Sequence, residues 1–121
     1  MPFDWKEYLE LARSLQNHQG DGYSQEAAFR SAVSRAYYSA FCHARNFIRD
    51  HEGFIPYNNA TDHSRVRIYF QQHRQIDIAK KLEKLRQWRN ACDYNDTISD
   101  DLTQLLIDAL EKAQAVIDRL K

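Results

Sequence analysis

The sequence predicts an all-α fold, an up-and-down bundle of four to five helices in a single domain spanning 1–121. Three observations carry this. Apolar residues recur at spacings of three and four rather than in alternation. Only 3 Gly and 2 Pro punctuate 121 residues, and apart from Pro2 they fall in two clusters, Gly20 with Gly22 and Gly53 with Pro56. One long segment carries alanine at every fourth position: Ala28, Ala32, Ala36, Ala40 and Ala44. Such a row lies along one helix face and lets another backbone come close. With 43% hydrophobic and 12% aromatic residues the chain has material for a packed core and is not of disordered composition. A domain of this size buries roughly two-thirds of the surface its unfolded chain exposes, so it needs no disulfide or metal staple.

The first helix is expected from Asp4 to Asn17. Asp4 with Glu7 makes a capping-box pattern, and Trp5, Tyr8, Leu9, Ala12 and Leu15 form the apolar face. His18 to Tyr23 is the turn. The second helix runs from Ser24, its cap, to Asp50, with Phe29, Val33, Tyr37, Phe41 and Ile48 beside the alanine row. His51 to Asp62 has loop chemistry. The third helix covers His63 to Gln72, with Val66, Tyr69 and Phe70 inward. The fourth covers Asp77 to Asp93, with Ile78, Leu82, Leu85, Trp88 and Cys92 on one face. After a break at Tyr94 to Ser99, Ser99 is expected to cap a last helix whose first turn holds Asp100 and Asp101, the sign that suits the helix dipole.

The charges balance, 17 basic against 17 acidic, but unevenly along the chain. Residues 63–91 carry eight Lys/Arg and two acids, net +6; residues 92–118 carry one Lys and seven acids, net −6. Three uses fit this pattern, one of them the docking of a charged partner protein. The basic face pairs with its acidic neighbour inside the bundle, or Arg65, Arg67, Arg74, Lys80, Lys81, Lys84, Arg86 and Arg89 supply a phosphate-binding surface.

Several chemistries are missing from the motifs. Cys42 and Cys92 form no CxxC pair and no Cys/His set has zinc-finger spacing, so two reduced thiols are expected. Asp93 to Thr97 opens like a calcium loop, but Ile98 stands where Gly is needed and Gln104 where Glu is needed. No Gly-rich phosphate loop, HExxH or nucleophile elbow occurs. No metal or cofactor is called for. The charged N-terminus lacks a signal core, and no stretch approaches the ~20 apolar residues of a membrane helix. A cytoplasmic protein is expected.

The sharpest local feature is Leu85-Arg86-Gln87-Trp88-Arg89-Asn90-Ala91-Cys92-Asp93-Tyr94. Together with Arg30 to Ala44 (RSAVSRAYYSAFCHA) and Asp62 to Phe70 (DHSRVRIYF), it resembles the HEPN family of small helical bundles. The resemblance spans most of the chain. It implies a metal-independent ribonuclease, or a relative of one, in a toxin–antitoxin or defence system. The family's motif is an Arg, usually a polar residue after it, four to six residues, then a His, and two such motifs meet across a homodimer interface. Arg89 and Asn90 match the start. The positions open to the His hold Tyr94, Asn95 and Asp96.

That substitution bears on turnover. Cleavage of RNA by its 2′-hydroxyl needs a base at that hydroxyl and an acid at the leaving oxygen, and His serves both near neutrality. A phenol, with an ordinary pKa near 10, is a poor base there. Arg89 remains suited to clamp phosphate. The expected site is therefore Arg89, Asn90 and Tyr94, with Arg35, Arg86 and Lys84 as substrate or phosphate contacts. Two roles are open to Arg35, substrate contact or pairing with Asp93. His43, His63 and His73 are candidates to replace the missing His, although a lone helical His is ordinarily a surface or interface residue. The leading expectation is a dimeric protein of weak or no catalytic activity; the alternative is an RNase toxin acting through Arg89 and Asn90. The resemblance also implies RNA as ligand and a minimal nucleotidyltransferase as partner, one that in related systems modifies a Tyr two residues past the motif His. Asp96 holds that position, leaving Tyr94 as acceptor.

Overall fold

A computed structural model of the chain describes residues 2–19 and 22–121 and places five helices and no strand among them. They are α1 (Glu7–Gln16), α2 (Gln25–Glu52), α3 (Asp62–Gln72), α4 (Ile76–Tyr94) and α5 (Leu102–Arg119). No described helix is long and apolar enough to cross a membrane. Its accessible surface, 7151 Å², is about a third of the ~20,700 Å² an extended chain of this mass would expose.

The alanine row explains the architecture. Ala28, Ala32, Ala36, Ala40 and Ala44 are all buried, and α2 touches each of the other four helices. Side chains this small let α1, α4 and α5 approach the α2 backbone on several sides at once. Leu82 and Leu85 of α4 and Leu106, Ala109, Ala113 and Val116 of α5 complete the core.

The ends of the helices follow local chemistry, with corrections. Ser24 caps α2 as expected, its Oγ accepting from Ala27 N at 3.1 Å. At the far end Gly53 takes φ 77°, and the amides of Gly53 and Phe54 both bond back to Ile48 O, the latter at 3.2 Å, a left-handed closure that a residue with a Cβ resists. The capping box at Asp4 does not form: Asp4 Oδ1 accepts from Lys6 N at 3.0 Å, and the helix starts at Glu7. Ser99 does not cap α5. Asp101, with extended backbone, accepts from the amides of Thr103 and Gln104 at 3.0 and 3.3 Å, so its side chain is spent on capping rather than on the first-turn dipole. The expected turn at His18 to Tyr23 contains Gly20 and Asp21, outside the described residues.

The segment before α3 is more ordered than loop composition suggests. Asp62 is 3% exposed. Its carboxylate accepts from Tyr57 N at 3.0 Å and Asn58 N at 2.8 Å, and pairs with Arg65 at 2.7 Å. Burial alone would raise its pKa; these three donors outweigh that and hold it below the usual carboxylate range.

Candidate functional site

The candidate site lies where α2, α3 and α4 meet. On α4, Arg86, Arg89, Asn90 and Asp93 fall on one face, by their spacing of three and four. Arg89 Nε stands 2.9 Å from Asp93 Oδ2 without hydrogen-bond alignment, and its NH1 donates to Asn90 Oδ1 at 3.0 Å. The guanidinium also lies 5.0 Å from the ring centre of Tyr38 and 5.5 Å from that of Tyr94, within cation–π range. Ser34 of α2 donates to Asp93 at 3.2 Å. Arg89 is thus held in place by four neighbours on two helices, Asp93, Asn90, Tyr94 and Tyr38.

Beside it two guanidiniums share one carboxylate. Glu83 Oε2 lies 2.8 Å from Arg67 Nε, and Glu83 Oε1 lies 2.8 Å from Arg86 NH2. Arg86 donates to Glu83 twice, at 2.8 and 3.2 Å, and Arg67 also donates to His63 O at 2.8 Å. The cluster of Arg67, Arg86 and Arg89 therefore carries one more positive charge than Glu83 and Asp93 neutralise.

His63, the first-turn residue of α3, sits against this cluster. Its ring stacks on Phe41 at 4.4 Å, and its Nδ1 lies 2.5 Å from the Tyr37 hydroxyl. Tyr37 is buried and its hydroxyl has no other partner among the described residues. It therefore donates to Nδ1, which puts the neutral imidazole's proton on Nε2. Burial, then the charges of Arg89, Arg67 and Arg86, lower the His63 pKa. Burial likewise raises that of Tyr37 far above the phenol range. At neutral pH the pair is a fixed Nε2–H donor among three cations, a good anion-binding group and a poor proton acceptor.

The other sequence candidates are placed as follows. Tyr94 ends α4 and is 72% exposed. Arg35 does not pair with Asp93, which is engaged by Arg89 and Ser34; its guanidinium lies 4.8 Å from the Tyr8 ring centre and 5.4 Å from that of Tyr38. Lys84 does not join the cluster: two residues from Arg86 on a helix is the opposite face, and its ammonium lies 5.4 Å from the Trp88 ring centre. His43 faces Leu120 O at 2.6 Å and His73 faces Tyr69 O at 2.7 Å, so of the three candidate histidines His63 is the one beside the arginines.

The expected pairing of the basic block with its acidic neighbour is met once among the described residues, by Arg89 and Asp93, and does not extend to α5. The basic side chains of 63–91 that form ion pairs find Asp62, Glu83 and Asp93, none of them on α5, and the bridge between α4 and α5 runs the other way, Asp77 to Arg119 at 2.6 Å.

Arg30 is a residue that sequence reasoning missed. It donates to the carbonyls of Cys92, Asn95 and Asp96 at 3.2, 2.6 and 3.1 Å. It thereby caps the α4 end that carries Tyr94, where orphan carbonyls need donors. Four arginines in α2 gave no signal as to which one would do this. Among the described residues no group of His, Cys, Asp and Glu is arranged to hold a metal ion.

Comparison with known proteins adds a relative without a known role. An uncharacterised protein of Methanocaldococcus jannaschii is 26% identical over 121 aligned positions, covering 86% of this chain and 67% of that protein. No protein-family model matches the chain, and no solved structure matches it.

Proposed function

We propose that this protein is a HEPN-like, RNA-binding bundle that works as a homodimer in a toxin–antitoxin or defence setting and turns RNA over weakly or not at all. The observation that carries the reading is the shared carboxylate: Arg67 and Arg86 divide Glu83 between them beside a neutral His63. That leaves unneutralised positive charge and an imidazole N–H for an RNA phosphate to meet.

Weak turnover follows from the same contacts. A phenol stands where a base is needed, His63 has its Nδ1 lone pair occupied by Tyr37, and Arg89 is committed to Asp93 and Asn90. A transition state would gain little from an Arg89 already paired with Asp93 in the resting state. The exposed Tyr94 ring supports the dimer reading, since an aromatic beside a motif Arg is a group a second copy would cover. Its accessible hydroxyl also suits it as the acceptor for a nucleotidyltransferase partner.

The test is incubation of purified protein with single-stranded RNA in EDTA, followed by both native and denaturing electrophoresis. The expected result is a shifted complex with intact RNA, lost in Arg86→Gln. Multiple-turnover cleavage that disappears in Arg89→Ala would replace this reading by the RNase one. No shift at all would overturn both.

A further inference from the structure

Bordered by Tyr38 and His63 lies a cavity of about 490 Å³, lined also by Trp5, Phe41, Arg45 and Asn58 among others. We propose that it binds one unpaired nucleobase together with its attached phosphate. The inference rests on the RNA-binding reading for the strand that delivers the base, but the pocket's own lining argues for the ligand class.

Four features point the same way. The volume falls in the range of small-molecule sites, about 300–1,000 Å³. Its walls are aromatic, with Trp5 and Tyr38 half-buried and Phe41 buried, so a flat base has rings to stack on. Arg45 supplies the charge. Its guanidinium lies 5.8 Å from the Trp5 ring centre and 5.9 Å from that of Phe41, and it has no carboxylate partner among the described residues; its one hydrogen bond is to the neutral side chain of Asn46 at 3.0 Å. A half-buried cation without a counter-ion is a site for an anion. Finally, the Asn58 side-chain amide makes no hydrogen bond among the described residues, so it can meet the edge of a base with both a donor and an acceptor.

The rim is built rather than incidental. Asn58 adopts φ 61°, a left-handed conformation that Asn tolerates better than most residues. The buried Asp62 holds its amide and that of Tyr57 from below. Asn59, also on the rim, is turned away from this task, its Oδ1 accepting from Thr61 N at 2.9 Å. His63 and Tyr38 belong to both this cavity and the arginine cluster. One nucleotide seated here would thus set the next phosphate of the strand near Arg67, Arg86 and Arg89. The demand for an unpaired base selects single-stranded RNA or a free nucleotide over duplex.

The test uses the full chain and its tryptophan fluorescence, titrated separately with adenosine monophosphate, inorganic phosphate, a single-stranded RNA oligonucleotide and the same sequence as duplex. Quenching by the nucleotide or the single strand, absent in Trp5→Phe where Trp88 remains as control, supports the pocket. Arg45→Gln should weaken nucleotide binding about tenfold or more, as for loss of a charge-assisted bond. Asn58→Gly keeps the left-handed backbone available and should weaken it about three- to tenfold, as for one hydrogen bond. Quenching by adenosine monophosphate alone identifies a free nucleotide as the ligand, and quenching by both identifies the strand. Equal response to inorganic phosphate, equal affinity for duplex and single strand, or affinities unchanged in Arg45→Gln would overturn the proposal. Arg86→Gln separates the two readings: loss of RNA binding with nucleotide quenching intact leaves the pocket standing, whereas RNA binding without any nucleotide or base-dependent quenching sinks the pocket alone.

Discussion

Replacing Asp62 by Asn removes a charge but almost no volume, and it tests whether one buried carboxylate organises the segment ahead of α3. In the native protein three donors converge on it: Tyr57 N, Asn58 N and Arg65. The amide nitrogen of Asn takes the place of one oxygen and faces a donor with a donor. One buried N–H left unsatisfied costs about 1–3 kcal/mol, and the remaining bonds lose their ionic character, roughly 0.5–1 kcal/mol more. A loss of about 3 kcal/mol follows, which for a chain of this size lowers Tm by on the order of 12 °C. The sign with pH is fixed by the depressed folded-state pKa. The carboxylate's contribution is complete above its unfolded pKa of about 3.9 and is lost as pH falls through the lower folded value. Thermal unfolding of both proteins from neutral to strongly acidic pH should therefore show a gap that narrows on acidification. A gap under about 0.5 kcal/mol at neutrality, the size of an ordinary surface change, or one that is constant with pH, would refute the reasoning.

Three further outcomes follow from the packing and the site. Arg30→Met keeps the aliphatic stem but drops three carbonyl bonds; it should cost about 2 kcal/mol and speed amide exchange around the α4 C-terminus without moving the α5 amides. Ala36→Leu forces a side chain into a fully buried place in the alanine row; unfolding in denaturant should show a loss of at least about 1–3 kcal/mol. NMR titration should find His63 below the ordinary His value, and Arg86→Gln should raise it, since Arg86 is one of the charges holding it down. The linked stability is lost as pH falls from the unfolded His pKa toward the folded one.

The fold was legible because its signals are periodic. The alanine row, the α5 stripe and the placing of Arg89 and Asn90 on one helix all follow from spacings of three and four. Asp101 instead of Ser99 as the α5 cap was not legible: both residue types cap, and only the backbone at 101 decides. The site was legible on α4 and not beyond it. Arg86 and Arg89 share a face by register, but nothing in the sequence says that His63, two dozen residues earlier, packs against them, or that Arg67 reaches across to Glu83. Charge alone groups Lys84 with Arg86, although two residues of separation on a helix oppose them. Arg30 and Arg45 carry no local mark; their roles exist only once α2 is seated among its neighbours.

The central claim is that Arg67, Arg86 and Arg89 with His63 form a phosphate site, and the salt dependence of RNA affinity tests it most directly. Fluorescence anisotropy of a labelled single strand, read over a series of salt concentrations, should give log Kobs falling linearly with log salt, by about 0.7 for each phosphate engaged. Arg86→Gln should weaken binding at every sequence and reduce that slope by roughly the share of one phosphate. Binding that is insensitive to salt, or a slope and affinity unchanged in Arg86→Gln and Arg67→Gln, would contradict the account.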